Sequence, residues 1–259
     1  MGTNMAREGK KIARGFNWRL WLAVVVVGAA GVSTAVAGFR VRQYALTDPQ
    51  FTLSINRPGA LTIQGLNYTP QTKVVRVFSG DFDHSVFTVP LAERRRRLLA
   101  IDWVEDASVS RVWPDRLLVR IRERRPVAFV IFRSGVLLID ERGVLLDPPA
   151  LAHFAFPVLS GVREDETEER RRERVRVLLR LQEEMGYMAK DVSEVNAADP
   201  DNVRIVAQVE NRAVELIMGD GNFARRYQTF LAHYPEIGKR SPNVKTFDLR
   251  QDGQVTAKD

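Results

Sequence analysis

An α+β fold is predicted by three features of this chain. A single apolar segment lies near the N-terminus, a strand-helix-helix-strand-strand order precedes residue 126, and strands alternate with amphipathic helices after it. The expected architecture is one N-terminal transmembrane helix, a small β-α-α-β-β domain, and a mixed β-sheet domain with flanking helices. By residue number, 1–19 form a basic arm, 20–39 the transmembrane helix, 40–57 a linker, 58–125 the small domain and 126–259 the larger one. The 259 residues are 45% hydrophobic, which suits two buried cores and argues against disorder. With no cysteine, disulfides and thiolate metal sites are excluded. A net charge of +7 could suit an anionic membrane surface or nucleic acid. Much of the arginine is interleaved with glutamate, however, so nucleic-acid binding is not expected.

The apolar run Leu20–Phe39 follows Arg7, Lys10, Lys11, Arg14 and Arg19. Twenty helical residues at about 1.5 Å each reach roughly 30 Å, the hydrocarbon thickness of a bilayer. Trp18 and Trp21 suit the interface, and the basic flank is expected to stay cytoplasmic with the body outside. Ala35-Val36-Ala37 fits a signal-peptidase site. The apolar run exceeds the roughly 7–15 residues of a signal core, so an uncleaved anchor is expected. Arg40–Arg57 is of mixed polarity and precedes Pro58-Gly59, as a spacer would.

Leu61–Gln64 is a short strand closed by Gly65. Thr69 is a candidate N-cap with Pro70 at the first helical position, followed by Val74, Val75, Val77 and Phe78. Pro90–Leu99 is a second helix, with Leu91, Leu98 and Leu99 inward and the Arg94–Arg97 run expected on a solvated face or as a patch for anionic lipid or a partner. Ala107–Val109 and Leu117–Ile121 then alternate apolar and polar on either side of Trp113-Pro114-Asp115, a turn signal, which predicts a hairpin. Pro126 stops the second strand, having no N–H for a ladder.

Past that stop, Val127–Ile131 and Val136–Ile139 form a hairpin through Arg133-Ser134-Gly135, and Asp140–Gly143 turns into Val144–Leu146 before Asp147-Pro148-Pro149. Glu164–Met185 is a charged amphipathic helix, with Val175, Leu178, Leu179 and Met185 buried and Glu166–Arg170 and Glu168–Arg172 paired at i,i+4. Strands are expected at Val192–Val195, Val203–Val209 and Val214–Met218, then a turn at Gly219–Asn222 and a helix over Phe223–Tyr234. That helix places Phe223, Tyr227, Phe230 and Leu231 on one face. Val244–Arg250 is a strand that turns at Gln251-Asp252-Gly253 into Gln254–Ala257.

His84, His153 and His233 have no metal-ligand spacing, and there is no G-x-S-x-G, Walker or G-x-G-x-x-G motif. No catalytic, cofactor or metal residues are expected, and the chain is not expected to be an enzyme. An anchored cell-wall enzyme is disfavoured on that ground.

The run Trp103-Val104, Trp113-Pro114-Asp115, Glu123, Pro126 and Ala128 resembles the junction of the POTRA and β domains in the FtsQ/DivIB family of bacterial cell division proteins. Phe156–Gly161, Arg225–Pro235 and Asp248-Leu249-Arg250 resemble later segments of the same family, so the likeness runs from about residue 20 to the end, and it implies that Phe156–Gly161 crosses between sheet and helix. The resemblance implies a POTRA domain at 58–125 and a non-enzymatic, single-pass scaffold of the divisome. Such a scaffold sits in the inner membrane with its body in the periplasm, at the division septum. It also implies FtsB and FtsL as partners, added along the terminal edge strand, and FtsK and other divisome proteins as partners of the POTRA domain. The residues it assigns to that edge are Thr246, Phe247, Leu249, Arg250, Gln251, Gly253, Val255 and Ala257. Arg250 is expected to meet a partner carboxylate. The alternative is a POTRA-bearing envelope assembly or secretion component, which calls for a terminal barrel of strands of about 9–11 residues. No such run is read here.

Overall fold

The structure, a computed structural model, describes residues 18–258 apart from 151, 241, 242 and 252. Arg7, Lys10, Lys11 and Arg14 of the expected basic arm lie outside the described residues. Two compact units are present. One comprises the described residues up to 61 with 80–90 and 111–117, and the other comprises 62–79, 91–110 and the chain from 118 onward.

The first unit begins with α1 (Trp18–Thr47), a 30-residue helix that is long and apolar enough to cross a membrane. It runs eight residues past Phe39, so the first part of the expected linker 40–57 is helical. Bilayer-grade apolarity ends at Phe39, but backbone pairing continues until Pro49, which cannot donate and biases Asp48 to extended backbone. Asp48 then caps a 3₁₀ turn at Pro49–Phe51, its Oδ1 accepting from Gln50 N at 2.9 Å. Phe51 and Leu53 are buried, and Leu53 exchanges backbone hydrogen bonds with Asp83 and His84.

The β-α-α-β-β order is observed as β1 (Leu61–Gln64), α2 (Gln71–Val77), α3 (Leu91–Leu99), β2 (Val104–Val112) and β3 (Arg116–Glu123). The strands form a three-stranded sheet in the order β1-β3-β2. On β3, Leu117, Val119 and Ile121 are buried while Arg120 and Arg122 are exposed, the period-two pattern that the alternation predicted. Gly65 is obligatory. Its φ is +86°, and a Cβ there would lie 2.0 Å from the Ile121 carbonyl oxygen.

Two expectations in this segment change. Thr69 is not the N-cap of α2; Pro70 holds that place without a side-chain cap, and the Thr69 N–H is taken by Glu123 instead. Arg94 is buried, whereas Arg95, Arg96 and Arg97 are exposed, because a four-residue run on a helix necessarily turns one member toward the core.

The second sheet has nine strands in the order β12-β11-β10-β9-β8-β7-β4-β5-β6. Its members are β4 (Pro126–Phe132), β5 (Gly135–Asp140), β6 (Leu145–Leu146), β7 (Val158–Ser160), β8 (Val192–Asn196), β9 (Val203–Val209), β10 (Arg212–Gly219), β11 (Thr246–Asp248) and β12 (Thr256–Lys258). Hairpins make the antiparallel joints β4–β5, β5–β6, β8–β9, β9–β10 and β11–β12. The joints β4–β7, β7–β8 and β10–β11 are parallel. Parallel neighbours need a long crossover, supplied for the last two by α4 (Glu168–Met185) and α5 (Phe223–Arg240).

Val158–Ser160 is thus an interior strand and not a crossing, since its few residues pair on both sides. The Glu168–Arg172 pair forms at 3.4 Å, but Glu166 lies before the helix and meets Arg174 at 2.7 Å instead of Arg170. α4 starts one residue after its cap, Thr167. Leu181 joins the buried stripe and Leu179 is only partly buried. α5 continues six residues past Tyr234 with Pro235 inside it. The core of this unit packs α4 and α5 on the sheet, with Tyr227, Phe230 and Phe247 among its largest fully buried side chains.

Candidate partner-binding edge

The last two strands make the rim of the large sheet. Beyond the turn that follows β10, α5 carries the chain back so that β11 lies parallel to β10, pairing Glu215 with Thr246 and Ile217 with Asp248. Glu215 N to Lys245 O (2.8 Å) and Leu249 N to Ile217 O (3.0 Å) lengthen that ladder at both ends. β12 then folds back antiparallel, placing Lys258, Ala257 and Thr256 opposite Thr246, Phe247 and Asp248. Because β12 ends the strand order, its outer backbone faces no further strand among the described residues.

The eight edge residues divide by face. Phe247 and Leu249 are buried, Phe247 with its ring 5.2 Å from Phe230 and 6.1 Å from Tyr234. Their side chains pack into the core and hold the rim down. Thr246 is half-buried and donates its hydroxyl to Glu215 Oε2 at 3.1 Å. Val255 is half-buried against the core, while Arg250, Gln251, Gly253 and Ala257 are exposed.

Arg250 is already engaged. Its Nε and Nη2 meet Asp248 Oδ1 and Oδ2 at 2.9 and 2.7 Å, and its backbone N–H reaches Oδ1 at 3.1 Å. Lys258 Nζ meets the same carboxylate at 3.0 Å. Hydrogen bonds from Arg250 and then Lys258 hold Asp248 well below the usual carboxylate range, against the opposing effect of burial. The Arg250 carbonyl in turn accepts from Arg226 Nη2 at 3.1 Å. This network pins the β11–β12 turn and leaves two cations, Arg250 and Lys258, each nearly half exposed at the rim. Sequence reasoning missed Asp248, Lys258 and Arg226. Asp248 and Arg250 stand two apart along an extended segment, which by period two puts them on one face.

Most of the junction residues are packed into the fold. Trp103 is largely buried and donates Nε1–H to Asp147 O at 3.0 Å, and Val104 and Ala128 are fully buried. Pro126 opens β4 opposite Asp140. Asp115 is buried and paired with Arg57, and Trp113 is 68% exposed beside the exposed Pro114.

Glu123 receives three backbone N–H groups ahead of α2, Asn67 at 2.9 Å, Tyr68 at 3.0 Å and Thr69 at 2.6 Å. Burial raises its pKa, but the bonds from Thr69, Tyr68 and Asn67 outweigh that effect and the net shift is downward. A depressed folded pKa stabilises above the unfolded value, about 4.3, and that contribution disappears as pH falls through the folded one. Glu123→Gln is therefore expected to lose about 1–3 kcal/mol at pH 7. Urea melts should show the gap between variant and wild type closing as pH drops below about 4. A gap independent of pH would count against the carboxylate clamp.

Among the described residues no group of three or more His, Asp or Glu could hold a metal ion. His84 and His233 contact backbone carbonyls near themselves in sequence, at 2.9 and 2.8 Å.

Sequence comparisons place this architecture in a class. Residues 57–124 match the POTRA domain, FtsQ-type, and residues 128–250 match the family described as Cell division protein FtsQ/DivIB, C-terminal. A cell division protein FtsQ from Koribacter versatilis is 32% identical over 243 residues, covering 92% of this chain and 69% of that protein. Another, from Shewanella oneidensis, is 25% identical over 91% of this chain and 85% of its own length. The one from Bordetella pertussis is 32% identical over 42% of each. The chain belongs to the FtsQ/DivIB family of cell division proteins, which are non-enzymatic members of the divisome.

Proposed function

We propose that this protein is a single-pass scaffold of the divisome that captures FtsB, in complex with FtsL, by strand addition along β12. The observation that carries this reading is the place of β12 at the end of the nine-strand order, with Thr256, Ala257 and Lys258 exposed. A strand edge offers its N–H and C=O groups to an incoming chain. Net hydrogen bonds contribute about 0.5–1.5 kcal/mol each, so a handful with one apolar contact reaches micromolar affinity, roughly −8 kcal/mol.

Arg250 and Lys258 supply positive charge for an acidic residue on the partner, and Gln251 and Gly253 shape the turn beside it. In this reading α1 anchors the chain in the inner membrane with its N-terminus inside and its body in the periplasm at the septum. Residues 126–259 bind FtsB and FtsL, and the POTRA domain at 58–125 receives FtsK and other divisome proteins.

Arg250→Ala separates binding from folding, because Asp248 keeps Lys258 as its counter-ion. The periplasmic segment of FtsB is expected to bind this variant roughly tenfold more weakly, with the melting temperature nearly unchanged. Unchanged capture would retire Arg250 as a contact. Capture by a chain ended after Gly253 would retire the edge itself.

A further inference from the structure

The first unit carries an aromatic run that the binding edge does not use. Tyr44 on α1 meets Phe51 at 5.8 Å, and Phe51 meets Phe87 at 5.3 Å and Trp113 at 5.5 Å. Phe87 and Trp113 close the group at 5.2 Å. The inner member is buried, but Tyr44 is 55% and Trp113 68% exposed, and Val112 beside it is 41% exposed. These are large apolar groups left in the open, while the other two rings of the run are withdrawn, Phe51 buried and Phe87 half-buried.

The height of this run along α1 follows from helix geometry. If Leu20–Phe39 fills the roughly 30 Å of hydrocarbon, Tyr44 stands about 7 Å beyond it. A bilayer with its headgroups is about 40–45 Å thick, so the headgroup layer extends about 5–7 Å past the hydrocarbon on each side. Tyr44 therefore sits at the outer limit of that layer, with the exposed Arg40 and Arg42 within it.

The rest of the run is tied to that level. Ser85 Oγ donates to Ala45 O at 2.8 Å, which fastens residues 80–90 to α1. Arg111 donates to the carbonyls of Val86 (2.7 Å), Phe87 (3.2 Å) and Val89 (2.8 Å), which fastens the end of β2 to the same segment. The tip carrying Trp113 is thus coupled to the helix through two successive sets of hydrogen bonds.

We infer that Tyr44 and Trp113, seated on Phe51 and Phe87, rest in the phospholipid headgroup layer on the side where α1 leaves the membrane. Amphipathic rings favour that layer, and it is continuous with the span from which the run arises. Arg40 and Arg42 face lipid phosphates at the same depth. The contact sets the tilt of the first unit at the membrane surface. It requires α1 to cross the bilayer, but not the β12 edge to bind FtsB.

The chain has no cysteine, so one introduced cysteine can be labelled uniquely. The full chain is reconstituted in phosphatidylethanolamine–phosphatidylglycerol vesicles with a nitroxide at Val112→Cys, and collision rates with oxygen and with a water-soluble nickel chelate report its depth. Labels at Val27→Cys, within the span, and Tyr187→Cys, 79% exposed, serve as references. The label at 112 is expected to collide with the chelate several-fold less often than the label at 187, and less often with oxygen than the label at 27. Adding Trp113→Ala should move it toward the behaviour of 187.

A label at 112 as accessible as 187, with 27 in hydrocarbon, overturns the inference. A label at 27 in water overturns the span as well. Dipolar broadening between labels at 112 would assign the face to a second copy of the chain and overturn the lipid contact.

Discussion

Asp140→Ala is expected to lower the stability of the second unit by about 3–5 kcal/mol, the usual loss when one member of a buried ion pair is removed. Arg124 Nη1 meets Asp140 Oδ2 at 2.9 Å, with the two side chains only 17% and 5% exposed. Asp140 Oδ1 also accepts from the backbone of Arg142 (2.9 Å) and Val144 (2.8 Å), and Arg124 Nε donates to Asp102 O at 2.9 Å. One pair therefore joins the segment before β2, the β3–β4 connection and the β5–β6 turn.

Truncating the carboxylate leaves a guanidinium largely out of water and two N–H groups without acceptors. Thermal melts should fall by about 10 °C, since 1 kcal/mol corresponds to roughly 2–4 °C in a chain of this size. The double variant Arg124→Met, Asp140→Leu should recover much of the loss, because it removes the uncompensated charge. A single variant within about 1 kcal/mol of wild type would show that water already solvates the pair.

Phe247→Ala should cost a similar amount, about 3–5 kcal/mol, from lost apolar transfer and the cavity left between Phe230 and Tyr234. The loss should be local in character. β11 has only three residues in its strand, and Phe247 is the one at its centre that is fully buried. Amide exchange should therefore quicken across 245–258 before it does in β8 and β9. On the proposed reading of the β12 edge, FtsB capture should fall as exchange quickens, whereas Arg250→Ala should lower capture without quickening exchange. Uniform quickening over the whole sheet would mean that the rim and the core unfold as one body.

The readable parts of the fold were the local ones. Leu117, Val119 and Ile121 announced their strand by alternation, and Trp113-Pro114-Asp115 announced the turn before it. Phe223, Tyr227 and Phe230 announced one face of α5 by helical spacing. The misread parts depended on partners far along the chain. Thr69 has the composition of an N-cap, yet its N–H answers to a carboxylate 54 residues away. Glu166 has a helical partner in sequence at Arg170, but the helix begins after it, so Arg174 takes the charge.

The candidate edge was legible as a final strand with an arginine and a glycine turn. That Phe247 and Leu249 face the core, and that Asp248 and Lys258 hold Arg250, required the register of β11 against both neighbours.

What the amino-acid order determined by itself is periodicity: which segments have one apolar face, where proline and glycine interrupt them, and that one helix is apolar for the depth of a bilayer. What tertiary structure alone decided is strand order, and with it which strand has no outer neighbour among the described residues. Hydrogen-bond ladders are satisfied between segments that can be distant in sequence, so no local pattern distinguishes an edge from an interior strand. β7 and β12 have three residues each. One is enclosed between β4 and β8, and among the described residues the other has a neighbour only in β11.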